Sequence, residues 1–122
     1  MHPMAGIVRL SDARRKARPT FFSRSELNQL LSLYSRQVMR GQWRDYAIGL
    51  QDGKASFAVF RNSNEGALYT IVKSASHGER GGDFTLLGGR LPLARAGAVS
   101  DIVANLARRL HGHARLVDEG GR

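Results

Sequence analysis

Size and composition restrict this chain to one small globular domain that is not held together by disulfides. Its 122 residues, 42% hydrophobic and 24% charged, suffice for one hydrophobic core and are too few for two. Because the chain has no cysteine, the sequence excludes disulfides, a thiolate nucleophile and sulfur-ligated zinc. A cysteine-free chain fits a reducing compartment, and without a long apolar segment we expect a cytoplasmic protein with no membrane partner.

The net charge of +9 comes from 19 basic and 10 acidic residues. A positive balance of this size favours polyanionic partners such as nucleic acid, or an acidic protein surface. Most of the basic residues are arginine, and the chain is rich in alanine and glycine. A GC-rich genome would account for many of these arginines equally well, so the charge alone does not decide the function.

The N-terminal segment is predicted to be a disordered basic arm. Residues 1–20 show neither helical nor alternating periodicity, and they include Arg14, Arg15, Lys16 and Arg18. Ser23 followed by Glu26 is the pattern of a capping box, which predicts that a helix begins here. The stripe of apolar residues at helical spacing consists of Leu27, Leu30, Leu31, Tyr34 and Val38, and Gly41 ends the helix.

A β-hairpin follows the first helix. The dipeptide Asp52-Gly53 is typical of a type I′ turn between two antiparallel strands. If Gln51 pairs with Lys54, one face of the hairpin is apolar, with Leu50 opposite Ala55, Ile48 opposite Phe57 and Tyr46 opposite Val59. The other face is mostly small, since it brings together Gly49 with Ser56 and Ala47 with Ala58.

The second half of the chain is predicted to add more strands and a last helix. We expect a third strand from Ala67 to Ser74, a mobile loop from His77 to Gly82, a strand from Phe84 to Leu87, a turn at Gly88-Gly89 and a short edge strand from Leu91 to Ala94. Helical spacing from Val99 to Leu110 predicts a helix that stops at Gly112.

The predicted fold class is therefore α+β. Its order is helix, four- to five-stranded antiparallel meander, helix, with both helices packed on one sheet face. Residues 21–111 form the domain, between the arm of residues 1–20 and a flexible tail of residues 112–122.

Several segments resemble a known family. They are Phe22 to Leu31, the stretch from Gly41 through Trp43 to Ile48, Phe57 to Arg61, and Leu68 to Lys73. The chain is similar over about residues 21–111 to an alphaproteobacterial family of small uncharacterised proteins, domain of unknown function 2794. The resemblance implies no activity and no site residue. The order of elements also resembles that of Pur-repeat and whirly-type single-strand binders, an analogy that concerns topology alone.

The sequence offers little material for catalysis or for a metal site. The histidines are His2, His77, His111 and His113, and they form no pattern of convergent ligands or of a nucleophile beside its base. Gly88-Gly89-Arg90 resembles a phosphate-binding nest but lacks the lysine and spacing of a phosphate-binding loop. We expect no catalytic residue, no metal and no cofactor.

Binding of single-stranded nucleic acid has more support. Unpaired bases stack on exposed aromatic rings while arginines neutralise phosphates, and Trp43 and Phe60 lie beside basic residues in the sequence. Tyr46 and Tyr69 are assigned to the core side, and Trp43-Arg44-Asp45 fits a structural corner equally well. The candidate nucleic-acid-binding residues are Arg14, Arg15, Lys16, Arg18, Arg36, Arg40, Trp43, Arg44, Phe60, Arg61 and Lys73.

The alternative is a protein-interaction or assembly factor. In that interpretation the open sheet face around Phe60, Leu68 and Val72 docks on an apolar patch of a partner. The two classes differ in their response to salt, because only phosphate neutralisation weakens steeply with ionic strength. A homodimer through pairing of an edge strand stays open.

Overall fold

The computed structural model describes residues 19–75 and 83–120, and side chains of the last helix as far as Gly112. The expected arm and the expected loop from His77 to Gly82 lie almost entirely outside these ranges. Five strands in sequential order form one open antiparallel sheet, with a helix before and a helix after it. The elements are α1 (Arg24–Met39), β1 (Asp45–Gln51), β2 (Lys54–Phe60), β3 (Tyr69–Ser74), β4 (Asp83–Gly88), β5 (Leu91–Ala96) and α2 (Val99–Gly120).

The start of α1 is the predicted capping box. The Ser23 hydroxyl accepts a hydrogen bond from the Glu26 N–H at 3.1 Å, and the Glu26 carboxylate accepts one from the Ser23 N–H at 2.8 Å. These two bonds satisfy amide groups that no helical carbonyl can reach. Gly41, with φ of 76°, takes the left-handed conformation that ends the helix, so both predicted ends are confirmed.

The buried stripe of α1 differs from the prediction by part of a turn. Leu30, Leu33 and Gln37 are buried, whereas Val38, which we assigned to the stripe, is 41% exposed. Leu27, Leu31 and Tyr34 are half-buried at the margin of the core. The difference arises because apolar residues occupy two adjacent rows along the helix. The core covers the row that contains Leu30 and Leu33, and Val38 belongs to the other row.

The β1–β2 hairpin has the predicted register at every pair. Gln51 lies opposite Lys54 and Tyr46 opposite Val59. Asp52 and Gly53 have φ of 55° and 75°, which are the two positive values that a type I′ turn requires. The sequence therefore predicted which side chains share each face of this hairpin.

The remaining strands match the prediction with small shifts of their ends. β3 begins at Tyr69 instead of Ala67, and β5 extends to Ala96. Gly89, with φ of 61°, lies in the turn between β4 and β5. Pro92 lies on the edge strand β5, as expected of a residue that cannot donate to a neighbour. The pairing of β4 with β5 shifts register between Leu86 and Leu87.

Both helices pack on one face of the sheet, which confirms the predicted fold class. Side chains that point to this face alternate with half-buried ones along β2, β3 and β4. They join with both helices in one core, consisting of Phe22, Leu30, Leu33, Trp43, Ala55, Phe57, Val59, Ile71, Phe84, Leu86, Val99, Ile102 and Leu106. The opposite face of the sheet is uncovered by any described element.

The end predicted for α2 is wrong, because the helix continues past Gly112 to Gly120. Glycine inside a helix costs only about 1 kcal/mol relative to alanine, and the good helix formers from Ala114 to Leu116 follow it. Neither helix, as far as the structure describes them, is long and apolar enough to cross a membrane.

Candidate nucleic-acid interface

Trp43, predicted as a stacking ring, belongs to the core. It is 2% exposed, and its indole lies 6.3 Å from the Tyr34 ring. Its position just after α1 and before β1 lets it fill the space between Leu30, Leu33 and the sheet. A ring without exposed area offers no surface to a base, so this candidate is wrong and the structural interpretation of Trp43-Arg44-Asp45 is supported.

Lys73 is likewise a structural residue. Its ammonium lies 2.8 Å from the Glu26 carboxylate and donates a second hydrogen bond to the Phe21 carbonyl at 2.9 Å. The same group lies 5.7 Å from the centre of the Phe84 ring. Because Lys73 is 6% exposed and its charge is already neutralised, it cannot contact a phosphate without breaking these interactions.

Four of the predicted arginines are exposed and lie at one end of the domain. We call this group the basic end. The Arg44 N–H donates to the Phe60 carbonyl at 2.9 Å, which joins the start of β1 to the end of β2. The last turn of α1 reaches the same end, since the chain passes from α1 to β1 within five residues. The basic end consists of Arg36, Arg40, Arg44 and Arg61.

The guanidinium groups of the basic end are free to bind a ligand. Within residues 19–75 and 83–112, no carboxylate forms an ion pair with any of them. The nearby Asp45 carboxylate accepts a hydrogen bond from the Tyr46 N–H at 2.8 Å, and that of Glu65 accepts one from the Asn62 side chain. Unpaired exposed arginines of this kind fit phosphate oxygens in a forked geometry.

The uncovered sheet face adjoins the basic end. Phe60, immediately before Arg61, is half-buried and alternates with the core residue Val59, so its ring points away from the helices. Beyond it the face carries small or β-branched side chains on β2 and β3, such as the paired Ala58 and Thr70, and Leu87 of β4, which lies opposite Thr70. Phe60 is therefore the aromatic candidate that the structure leaves accessible.

The two tyrosines assigned to the core side lie on that side. Tyr69 is half-buried at the core margin. Tyr46 stacks on Phe57 at 5.5 Å and meets Tyr34 edge to face at 4.8 Å, yet it stays 40% exposed. Burial raises the pKa of the Tyr34 phenol above its ordinary value of 10.0, and Asp45 and Tyr46 add to the rise. Tyr34 is therefore uncharged and does not add to the field of the basic end.

An exposed apolar surface on β1 was not predicted from the sequence. Tyr46, Ile48 and Leu50 point to the helix side of the sheet but are 40%, 51% and 49% exposed. We call these three residues the β1 patch. The alternation of β1 assigns them to the core. Their exposure is explained by the position of β1 at the sheet edge, where α1 contacts Tyr46 through Tyr34 and leaves Ile48 and Leu50 half exposed.

The arm residues Arg14, Arg15, Lys16 and Arg18 lie outside the described residues. The described chain begins near the hairpin turn, where the Thr20 N–H donates to the Gly53 carbonyl at 2.9 Å. The basic end lies at the opposite end of α1, a helix of 16 residues that spans roughly 24 Å. The arm and the basic end therefore start from opposite ends of the domain.

A shallow groove of about 420 Å³ lies along α1 and includes Arg36. Its other lining residues are Ser25, Asn28, Gln29 and Ser32 from α1 and Val103 from α2. Among the residues that the structure describes, no group of three or more histidine, aspartate or glutamate side chains is placed to hold a metal ion.

Comparison with known proteins identifies the family. A family model described as "Protein of unknown function (DUF2794)" matches residues 20–96, which is more than half of the chain. The chain belongs to the DUF2794 family. The match covers α1 and all five strands of the DUF2794 fold, and it ends where β5 ends. Neither a curated protein nor a solved structure matches this chain.

Proposed function

We propose that the protein is a non-enzymatic, cytoplasmic module that binds single-stranded nucleic acid. One observation carries the proposal: Arg36, Arg40, Arg44 and Arg61 are exposed at one end of the domain and are unpaired among the described residues. Like charges gathered without partners lower stability slightly, and a bound polyanion removes this repulsion. Phosphates of a nucleic-acid strand provide the required charge at regular spacing.

The uncovered sheet face supports a single strand in preference to a duplex. An unpaired base can stack on the accessible ring of Phe60 while Arg44 and Arg61, its neighbours at the ends of β1 and β2, contact the flanking phosphates. The small side chains beyond Phe60 let the bases approach the sheet closely. In this proposal the arginines and lysine of the arm add affinity along the rest of the strand.

The test is a titration of labelled single-stranded DNA and RNA at several salt concentrations with the full chain. A variant with glutamine at Arg36, Arg40, Arg44 and Arg61 is expected to lose affinity, and the slope of log K against log salt should fall by about 3, since each single-strand phosphate contact contributes about 0.7. The control matched for charge compares two pairs: glutamine at Arg24 and Arg108, exposed arginines of the two helices, is the control for glutamine at Arg44 and Arg61 alone, and each pair lowers the net charge equally.

Three outcomes decide the proposal. A larger loss in the variant of Arg44 and Arg61 than in its control supports the site. Equal losses in both variants mean that net charge alone attracts the strand, and this would contradict a defined site. A further variant, with glutamine at Arg14, Arg15, Lys16 and Arg18, tests the arm. If that variant alone abolishes binding, the folded domain only carries the arm and the proposed site is wrong.

A second candidate function is a protein-interaction or assembly factor that uses the uncovered sheet face. It is favoured by the apolar side chains there, since Phe60 and Val72 are half-exposed and alternate with core residues. Leu68, the third residue expected on this surface, packs against the core instead and contributes less. Binding to a protein partner that is tight and insensitive to salt, with no nucleic-acid signal, would favour this function.

A further inference from the structure

The edge strand β1 is exposed along its whole length. All seven of its residues are exposed, in contrast to the strict alternation along β2. The β1 patch is continuous with the core, because Ile48 pairs with Phe57 and Leu50 with Ala55, both of which are buried. Burying these side chains against an apolar partner is favourable in proportion to the area removed from water.

The backbone of β1 presents unpaired groups at its even-numbered residues. The two residues that flank a two-residue turn, here Gln51 and Lys54, exchange both of their hydrogen bonds, so the odd residues of β1 bond to β2. The even residues then direct N–H and C=O groups away from the sheet. In agreement with this hydrogen-bonding pattern, the Tyr46 N–H donates to the Asp45 carboxylate at 2.8 Å. The residues of the β1 patch therefore offer side chains and backbone groups together.

A second copy of β1 fits this edge in an antiparallel register centred on Ile48. Ile48 then lies opposite Ile48 of the second copy, and Tyr46 lies opposite its Leu50. The outward N–H and C=O groups of all three patch residues become paired, with the Tyr46 N–H passing from Asp45 to the Leu50 carbonyl of the second copy. The apolar side chains of both strands meet on the helix side, because opposed residues of an antiparallel pair share a face.

Charge complementarity supports the same register. Extending this register by one residue beyond each end of β1 brings Arg44 of one copy near Asp52 of the other, and two-fold symmetry brings these charges together twice, once at each end of the joined strands. Asp45 lies opposite Gln51, an amide that can donate to its carboxylate. The two ends of β1 therefore carry opposite charges that pair when two copies meet antiparallel. A two-fold symmetric dimer requires this self-complementarity, whereas binding of an unrelated partner does not.

The other sheet edge lacks these properties. Pro92 removes a donor from β5, and the register shift between Leu86 and Leu87 makes its pairing irregular. Such features protect an edge strand against pairing with another chain. β1 has no proline and pairs regularly from Asp45 to Gln51.

We infer that the protein forms a two-fold symmetric homodimer in which β1 pairs with β1 of a second copy, joining the two sheets into one. The β1 patches of both copies form the apolar centre of the interface, and the Arg44–Asp52 pairs lie at its ends. The dimer does not depend on the proposed nucleic-acid binding, since the uncovered sheet face and three arginines of the basic end, Arg36, Arg40 and Arg61, remain free in it. Arg44 is the one residue that the two proposals share, and a bound phosphate would compete for it with Asp52 of the second copy.

The first test is a single-cysteine experiment, which the absence of native cysteine permits. In the Ile48→Cys variant the two sulfurs face each other across a pair whose Cα atoms are about 5.5 Å apart, within the range of a disulfide. In the matched control Leu50→Cys, equally exposed at 49% against 51%, the two positions are four residues apart along the strand, about 13 Å. Mild oxidation should crosslink the first variant and leave the second monomeric on a denaturing gel.

The second test measures the oligomeric state of the full chain by analytical ultracentrifugation across a broad range of concentrations. Ile48→Lys should weaken dimerisation by roughly 100-fold, since two ammonium groups would be buried opposite each other. Leu91→Lys changes a leucine of the opposite edge that is 70% exposed and should leave the dimer intact. Circular dichroism and the fluorescence of Trp43 check that both variants fold.

Defined results would overturn the inference. A wild-type chain that is monomeric at every concentration would do so. Equal crosslinking of the Ile48→Cys and Leu50→Cys variants would exclude the register. A dimer that Leu91→Lys disrupts as strongly as Ile48→Lys would place the interface elsewhere. If Ile48→Lys fails to fold, the crosslinking experiment still decides.

Discussion

Glu26 makes two interactions that begin α1 and attach it to β3. Its carboxylate accepts a hydrogen bond from the Ser23 N–H and forms the ion pair with Lys73, both at 2.8 Å. Lys73 in turn donates to the Phe21 carbonyl. Its buried ammonium therefore connects the first turn of the helix, the segment before the helix and the sheet. The capping box was visible in the sequence. The second interaction was not, because it joins residues that are 47 positions apart.

We expect the Glu26→Gln variant to be destabilised by about 3 kcal/mol. Glutamine preserves the capping box, since its side-chain oxygen still accepts from Ser23, but it leaves the Lys73 charge buried without its counter-charge. Ser23→Ala, which removes the cap and keeps the ion pair, should cost only about 1 kcal/mol. Urea denaturation followed by tryptophan fluorescence measures both values, and an equal loss in the two variants would contradict the importance of the ion pair.

Replacement of Trp43 should affect stability more than ligand binding. Trp43→Ala is expected to lower the free energy of unfolding by about 3–5 kcal/mol, because it leaves a cavity beside Leu30 and Leu33. Trp43→Phe refills most of this space and should cost less. Under conditions where both variants are folded, their affinity for single-stranded DNA should equal that of the wild type. If folded Trp43→Phe lost affinity for single-stranded DNA, Trp43 would have to contact the ligand after all.

At the scale of elements, the β1–β2 hairpin is the part that local rules determine best. A two-residue turn with two positive φ angles leaves one register, and that register assigns every side chain of both strands to a face. The register does not determine how exposed a side chain is, however. An edge strand and a central strand show the same alternation of apolar and polar residues, although the edge strand has a neighbouring strand on one side only. This is why the pairing of Ile48 with Phe57 was predicted correctly while the 51% exposure of Ile48 was not.

The turn provides a prediction at this scale. Gly53→Ala should destabilise the protein by about 1–2 kcal/mol, since a side chain at φ of 75° meets the carbonyl that follows it. In dilute, monomeric protein Asp52→Asn should have little effect on stability, because asparagine tolerates the left-handed conformation. Gly66→Ala is the matched control, with no positive φ and nothing within 4 Å of the added Cβ. Thermal unfolding of the three variants should give a lower Tm for Gly53→Ala alone.

For the whole molecule, the sequence predicted the order of elements and the common face of the helices, since two apolar stripes need one sheet to cover them. It predicted less about the candidate sites. Arg36, Arg40, Arg44 and Arg61 are exposed as expected, whereas Trp43 and Lys73 are buried. Tryptophan and lysine occur both in cores and on surfaces when a partner is present, and only the packing of α1 on the sheet distinguishes the two environments.

The different construction of the two sheet edges limits how far association can proceed. If chains associate only through β1, the pairing of two copies buries both β1 edges. The β5 edge, which contains Pro92, does not pair with a third chain. The product has two subunits and closes on itself, instead of extending into a filament. In the proposed dimer each exposed β1 strand is paired with its own copy, so the edge that could otherwise recruit further chains is occupied.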